Sequence, residues 1–358
     1  MKLSLGMNLQ AGPWGGGNQF GNSLVSYLRR HGVKVYFNLQ EPDLDIILLA
    51  EPRTYLKISA YSDWHIIRYL LRQNPRALVV HRINECDERK GTSGVNRIII
   101  RANTCADYTV FVSNWLKELL IGQGLSAKDY RVILNGSDQT IFNPEGYCSW
   151  NGTEPLKLVT HHWGGHWMKG FDIYKHLDEL LALDSYRRKF SFTYIGNLPP
   201  GFLFQQATYI EPKQGQALAA AIRQHHVYLT ASRNEPGSNH QNEGALCGLP
   251  LLYLESGSLP EYCQGFGISF NAENFEQKLY EMMATYDHWA KRMKDYPRTS
   301  ERVGQEYYNL FTELLDRRDE FLERRAISQP YQALLRAFVL AQTGKVWYHL
   351  KRLNGLKR

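Results

Sequence analysis

Short apolar, β-branched runs alternate with helix-period segments along most of this sequence, and that alternation permits few architectures. Residues 3–7, 33–37, 45–49, 77–80 and 108–112 read as strands, and the first is followed by the breaker AGPWGGG. Phe20, Leu24 and Leu28 then recur at helical spacing until His31-Gly32 closes the helix. After Phe142-Asn143-Pro144 comes a polar stretch, EGYCSWNGTEP, of linker composition. The pattern then restarts, with strand-like runs at 156–160, 191–195, 227–230 and 251–253 and helical patterns at about 170–183, 215–225 and 241–248. Strands that alternate with helices imply a parallel sheet covered on both faces. Two doubly wound α/β domains are therefore expected, a count that suits 358 residues.

A composition of 43% hydrophobic and 22% charged residues is that of a folded globular chain. No apolar run reaches the ~18–20 residues of a membrane helix. The N-terminal stretch meets glycines before it can build a signal-peptide core, so a cytoplasmic protein is expected. Cys86, Cys105, Cys148, Cys247 and Cys263 are odd in number and contain no C-x-x-C pair, which disfavours a disulfide framework and a zinc knuckle. The net charge of +7 is local: eight of the 42 Lys and Arg follow Glu323, where no acidic residue occurs, and the rest balances 34 basic against 35 acidic residues. A neutral body gives nucleic acid no footprint. The basic tail carries Leu334, Leu335, Phe338, Val339, Val346, Trp347, Leu350 and Leu353 among Arg336, Lys345, Lys351 and Arg352, an amphipathic pattern suited either to an anionic membrane or to packing on the first domain. Gly344 is expected to interrupt it.

Parallel sheets bind ligands beyond the carboxyl ends of their strands, where loop glycines offer N–H groups to phosphate. Gly15 and Gly16, in the loop after the first strand, are candidates for that role; a tight turn is the alternative. The loop is not G-x-G-x-x-G, and Asn38 stands where a dinucleotide site would place an acid. Glu235 and Glu243, seven residues apart around a short helix stopped by Gly248 and Pro250, could accept hydrogen bonds from sugar hydroxyls. His161, His162 and His166 cluster, but Gly164-Gly165 denies the i, i+4 pair a helical face; a metal, a sugar or phosphate contact and ordinary packing all remain open. His81, followed by Arg82 and Glu85, stands at a strand end dense in polar groups, where a capping or salt-bridge role is open.

Several of these segments resemble the retaining nucleotide-sugar glycosyltransferases of the GT-B fold, the group that carries an E-x7-E motif. Glu235 to Glu243 followed by Gly244 to Pro250 is similar to the signature, and Ser256-Gly257-Ser258-Leu259-Pro260-Glu261 to the loop after it. Residues 132–138 with Phe142 and Pro144 resemble the close of the first domain, residues 111–113 the strand before it, and Ser300 to Val303 with Tyr307, Tyr308 and Phe311 the late returning helix.

The resemblance implies two Rossmann-like domains facing across a cleft, divided as 1–150 (acceptor side), 151–298 (nucleotide-sugar side), a returning helix 299–323 and the basic tail 324–358. It implies a hexosyltransferase-type, retaining reaction with a nucleoside-diphosphate sugar as co-substrate, no cofactor, and a glycan or lipid-linked acceptor; the absence of an Asp-x-Asp motif adds the expectation that no metal is needed, and the basic tail that of a peripheral place on the inner face of a membrane, which suits polysaccharide biosynthesis. Glu235 would meet the donor sugar, Glu243 the ribose, Lys169 the diphosphate, and His81 the acceptor; Gly257 and Ser258 fall in the donor loop. The family arginine five or six positions before the lysine is absent, with Trp163 and Gly164 there, so Arg233 or His166 is expected to share the clamp. A nucleotide-sugar epimerase of the same architecture and an inactive glycan- or nucleotide-binding protein are the alternatives.

Overall fold

The computed structural model describes residues 1–10, 15–325 and 330–353. Gly12, Pro13 and Trp14 of the glycine loop and Lys357 and Arg358 of the tail lie outside them. The chain forms two compact units, one of residues 1–87, 91–133 and 304–358, the other of residues 88–90 and 134–303.

The first unit is a six-stranded, all-parallel sheet of β1 (Lys2–Leu5), β2 (Lys34–Tyr36), β3 (Ile46–Leu49), β4 (Leu78–Ile83), β5 (Tyr108–Phe111) and β6 (Tyr130–Val132), in the order β2-β1-β3-β4-β5-β6. All of β3 and β4 is buried, which is why both read as continuous apolar or near-apolar runs. The helix Gly16–Arg30 buries Phe20, Leu24, Val25 and Leu28. It stops where Gly32 takes φ 77° and Val33 N–H donates to Leu28 O, a glycine-terminated helix end.

C-terminal residues complete this unit. Tyr307, Leu310, Phe311 and Leu314, from the helix Ser300–Asp316, are almost entirely buried, and a Cβ at Gly304 would stand 2.4 Å from the Tyr27 ring. Arg325 grips Asp107 with Nε at 2.7 Å and Nη2 at 2.6 Å and donates to the carbonyls of Pro75 and Ala77. The last helix, Pro330–Leu353, packs Ala333, Leu334 and Ala337 against the cluster of Ile66, Tyr69 and Leu70, with Phe338 edge-on to Trp64 at 5.3 Å. It runs unbroken through Gly344, contrary to expectation, because a single glycine costs a helix only about 1 kcal/mol. Tyr331, Leu335, Val339, Leu340 and Val346 on the same helix are exposed.

The second unit repeats the plan with β7 (Leu156–His162), β8 (Phe190–Gly196), β9 (Thr208–Ile210), β10 (Val227–Thr230), β11 (Leu251–Leu254) and β12 (Gly267–Phe270), in the parallel order β12-β11-β10-β7-β8-β9. Its core is one cluster, including Leu158, Phe171, Phe192, Leu229 and Leu252. The connections from β7 run to one side of the sheet and those from β10 to the other, so the strand order reverses between these two neighbours. A crevice opens at such a reversal, and it is the usual ligand site of an open α/β sheet.

Candidate functional site

The carboxyl ends of β7 and β10 gather most of the polar residues singled out in the sequence. Beyond β7 the chain passes through His166 into a short turn, Trp167–Lys169, that buries Lys169 to 5% exposure. Gly170 follows at φ 94°, and a Cβ there would lie 2.5 Å from the Ala231 carbonyl oxygen. No other residue would let this turn lie so close to the end of β10. Beyond β10, Asn234 adopts φ 52°, with its N–H on Ser256 Oγ at 3.0 Å, and this left-handed step turns Glu235 inward.

Glu235, 1% exposed, receives Lys169 Nζ on Oε1 and lies 3.3 Å from Arg89 Nε through Oε2. Burial alone would raise its pKa, but Lys169 and then Arg89 outweigh that and hold the carboxyl well below the usual range, so it is ionised. Burial pushes the Lys169 ammonium down from its ordinary value; Glu235 opposes the shift, while Arg89 and Lys90 add to it. Arg89, within the charged run Asp87-Glu88-Arg89-Lys90, is a second cation at Glu235 that sequence reasoning did not single out, because nothing local connects residue 89 to Glu235.

The two expected substitutes do not contact Glu235 in this way. Arg233 pairs with Asp172 at the surface. His166 is half-buried, and burial followed by Lys169 and Arg89 lowers its pKa to about 4, so the ring is neutral at pH 7 and supplies no cation. Gly257 and Ser258 act on Glu235 from the backbone side: a Cβ on Gly257, at φ 58°, would meet Glu235 N at 2.5 Å, and Ser258 N–H donates to Glu235 O at 2.9 Å. Ser258 is completely buried, and its backbone supports the Glu235 loop.

Glu243 lies one turn into the helix His240–Leu246 and is 4% exposed. Its Oε2 is 2.6 Å from His161 Nε2, and the His161 ring is fixed in turn by Tyr228 Oη at 2.9 Å from Nδ1. His162 meets Tyr174 Oη at 2.8 Å, and His240 meets Thr230 Oγ1 at 2.7 Å. Burial drives both imidazoles well below their ordinary pKa, so they are neutral packing groups. Among the described residues, no group of three or more His, Cys, Asp or Glu is arranged to hold a metal ion.

In the first unit, Gly15 precedes the helix Gly16–Arg30, and a Cβ there would meet nothing within 4 Å, so no protein group dictates glycine. His81 is 1% exposed in β4, with Nδ1 on Asn103 Oδ1 at 2.9 Å and a pKa lowered by burial to about 4. The ring is held by Asn103 and lines a small cavity shared with Glu51, Arg53 and Glu85. Arg82, also buried, stacks its guanidinium 3.6 Å from the Phe20 centroid, and Glu85 lies 3.9 Å from Arg53, which clasps Glu51. The cavity beside them has room for about one water molecule.

No protein-family model matches the chain, and no curated protein matches it in sequence. Solved structures do. The sucrose-phosphate synthase of Thermosynechococcus elongatus aligns over 88% of this chain and 99% of its own at 14% identity, with a TM-score of 0.62. HepE of Anabaena, in complex with UDP-glucose, covers 87% and 99% at 13% identity with a TM-score of 0.63. The catalytic domain of starch synthase IV from Arabidopsis thaliana, bound to ADP and acarbose, covers 85% and 79% at 13% identity with a TM-score of 0.59. At such identities the likeness is one of fold, and the two parallel six-stranded sheets with flanking helices are the GT-B fold.

Proposed function

We propose that this chain is a glycosyltransferase that moves a hexose from a nucleoside-diphosphate sugar to an acceptor hydroxyl with retention at the anomeric carbon. The observation that supports this best lies at the β7/β10 reversal, where buried Lys169 and partly exposed Arg89 converge on buried Glu235. Two cations at the carboxyl ends of parallel strands, the ammonium of Lys169 held out of water, suit a polyanionic ligand, whose oxygens replace the hydration that the ammonium has lost.

In this reading Lys169 and Arg89 take the diphosphate oxygens, Glu243 the ribose hydroxyls and Glu235 the hydroxyls of the transferred sugar. The anomeric C–O bond to the diphosphate breaks as the acceptor oxygen bonds to the same carbon, and the acceptor's proton goes to the departing phosphate oxygen. The negative charge that develops on the diphosphate meets cations already in place, which lowers the barrier without reorganisation. That charge compensation makes a divalent ion unnecessary. HepE was solved with UDP-glucose and starch synthase IV with ADP, so uridine and adenosine donors are the first to test.

The tail gives this reading a location. The helix Pro330–Leu353 exposes Leu335, Val339, Leu340 and Val346, and no acidic residue follows Glu323. Exposed apolar groups interleaved with basic ones suit an anionic membrane surface and hence a lipid-linked or envelope-polysaccharide acceptor.

The test is incubation of the full chain with radiolabelled UDP-, ADP- and GDP-sugars and extracted glycolipid or glycan acceptors. A transferase releases the nucleoside diphosphate and moves the label to acceptor; an epimerase interconverts the sugars; a binding protein only retains them. Either of the last two outcomes, or no binding at all, rejects the proposal.

A further inference from the structure

The carboxylate of Glu243 is one end of a buried chain of three side chains. Tyr228 Oη lies 3.2 Å from the His161 backbone nitrogen, whose N–H it accepts, and 2.9 Å from His161 Nδ1. The hydroxyl proton has two acceptors to choose from, the His161 carbonyl oxygen at 3.5 Å and Nδ1 at 2.9 Å, and the shorter contact assigns it to Nδ1. Burial holds the Tyr228 phenol well above its ordinary pKa, so the proton is present. With Nδ1 accepting, the imidazole proton resides on Nε2 and is donated to Glu243 Oε2 across 2.6 Å. The hydrogen-bond roles thus run in one direction, from Tyr228 through His161 to Glu243.

The scaffold around this chain is tight. Tyr228 is completely buried in β10, and His161 sits at the end of β7 with 8% exposure. Gly244, next to Glu243, lets the helix His240–Leu246 lie on the tyrosine: a Cβ there would fall 2.2 Å from Tyr228 Cδ2. Glu243 is therefore fixed at its backbone by the glycine contact and at its carboxylate by His161. Oε1 has no hydrogen-bond partner among the described residues, so one oxygen is held by protein while the other is left to a ligand.

We infer that His161, itself fixed by the Tyr228 hydroxyl, is a positioning residue that aims the Glu243 carboxylate at the ribose of the bound nucleotide and so sets the preference for a ribonucleotide over a 2′-deoxyribonucleotide. The inference rests on the glycosyltransferase reading, in which Glu243 meets the ribose. A carboxylate free to rotate would make hydrogen bonds to the sugar only at the cost of its own ordering, whereas a fixed one discriminates fully.

The experiment measures dissociation constants of UDP, ADP and GDP, of their 2′-deoxy counterparts and of the matching nucleosides for the full-length protein and for His161→Leu, His161→Gln and Tyr228→Phe. Wild type should favour the ribonucleotide by about 10- to 100-fold, the value of a hydrogen bond to a charged group. His161→Leu should bring that ratio to within about threefold of unity and Tyr228→Phe should lower it partway, while His161→Gln, which keeps a donor, retains most of it. The diphosphate-to-nucleoside affinity ratio should stay as in wild type throughout, since a general loss of structure would lower both. If His161→Leu does not fold, Tyr228→Phe, which keeps the ring, decides. An unchanged ribo-to-deoxy ratio in the folded variants, or no ratio in wild type, overturns the inference while the diphosphate-to-nucleoside ratio still supports donor binding. Failure of wild type to bind any nucleoside diphosphate overturns the glycosyltransferase reading and this inference with it.

Discussion

Lys169 and Glu235 form an ion pair with both partners out of water, the lysine arriving from the turn after β7 and the glutamate from the left-handed step after β10. Pairs of this kind are costly to break and far less costly to remove whole, because the penalty lies in the charge left behind.

Lys169→Met should therefore lower stability by about 3 kcal/mol, and Lys169→Met with Glu235→Met should recover at least half of that loss. Urea unfolding of the two variants measures it. A double variant less stable than the single one would show that the pair is net stabilising.

Glu235→Ala should mainly lower kcat, and Glu243→Ala should mainly raise the donor KM, since in the proposed reaction the first meets charge that develops in the transition state and the second meets a ribose that does not change. Steady-state kinetics decide; wild-type constants in both variants would leave the two glutamates without a role.

Donor binding and transfer should persist in excess EDTA, because Lys169 and Arg89 stand where a divalent ion would otherwise compensate the diphosphate. Activity abolished by EDTA and restored by manganese or magnesium would contradict this.

Acid should destabilise both units well before the carboxylates titrate. His81 in the first unit, lowered to about 4 by burial, and His162 and His240 in the second, lowered well below 6.5, bind fewer protons folded than unfolded. Stability is thus full above pH 6.5 and falls as pH drops below it, by about 1.4 kcal/mol per unit for each imidazole, down to its folded-state pKa. Glu235, whose pKa is depressed, stays ionised through that window. Denaturant titrations at pH 7.5, 6.0 and 5.0 should show the decline; a flat profile would refute it.

Truncation after Arg325 should abolish sedimentation with vesicles rich in acidic lipid while leaving the chain folded. The cut must spare Arg325, whose bonds to Asp107, Pro75 and Ala77 tie the preceding helices down. Full-length protein that does not sediment would assign the helix Pro330–Leu353 to packing alone.

Strands were legible where both faces are buried. β3, β4, β7 and β10 announce themselves as apolar runs, whereas β6, β9 and β12 were not foreseen, and all three lie at sheet edges. In β6 and β9 no residue is fully buried, so neither needs an apolar signature. In the second unit, the seven-residue spacing singled out Glu235 and Glu243, while Lys169 was singled out only by the family resemblance. Arg89 was not, because pairing across the fold leaves no local periodicity. His161 was noticed only as one of a histidine cluster; its pairing with Glu243 depends on β7 and β10 being neighbours, which is a property of the topology.

The first unit is assembled from pieces at both ends of the chain, and the second is almost wholly one continuous stretch. During synthesis the second unit can close as soon as residue 303 clears the ribosome. The first stays incomplete until Tyr307, Leu310, Phe311 and Leu314 emerge to join its core. A nascent chain released early would thus carry one finished unit and one with an incomplete core, and it is the latter that chaperones and proteases would meet.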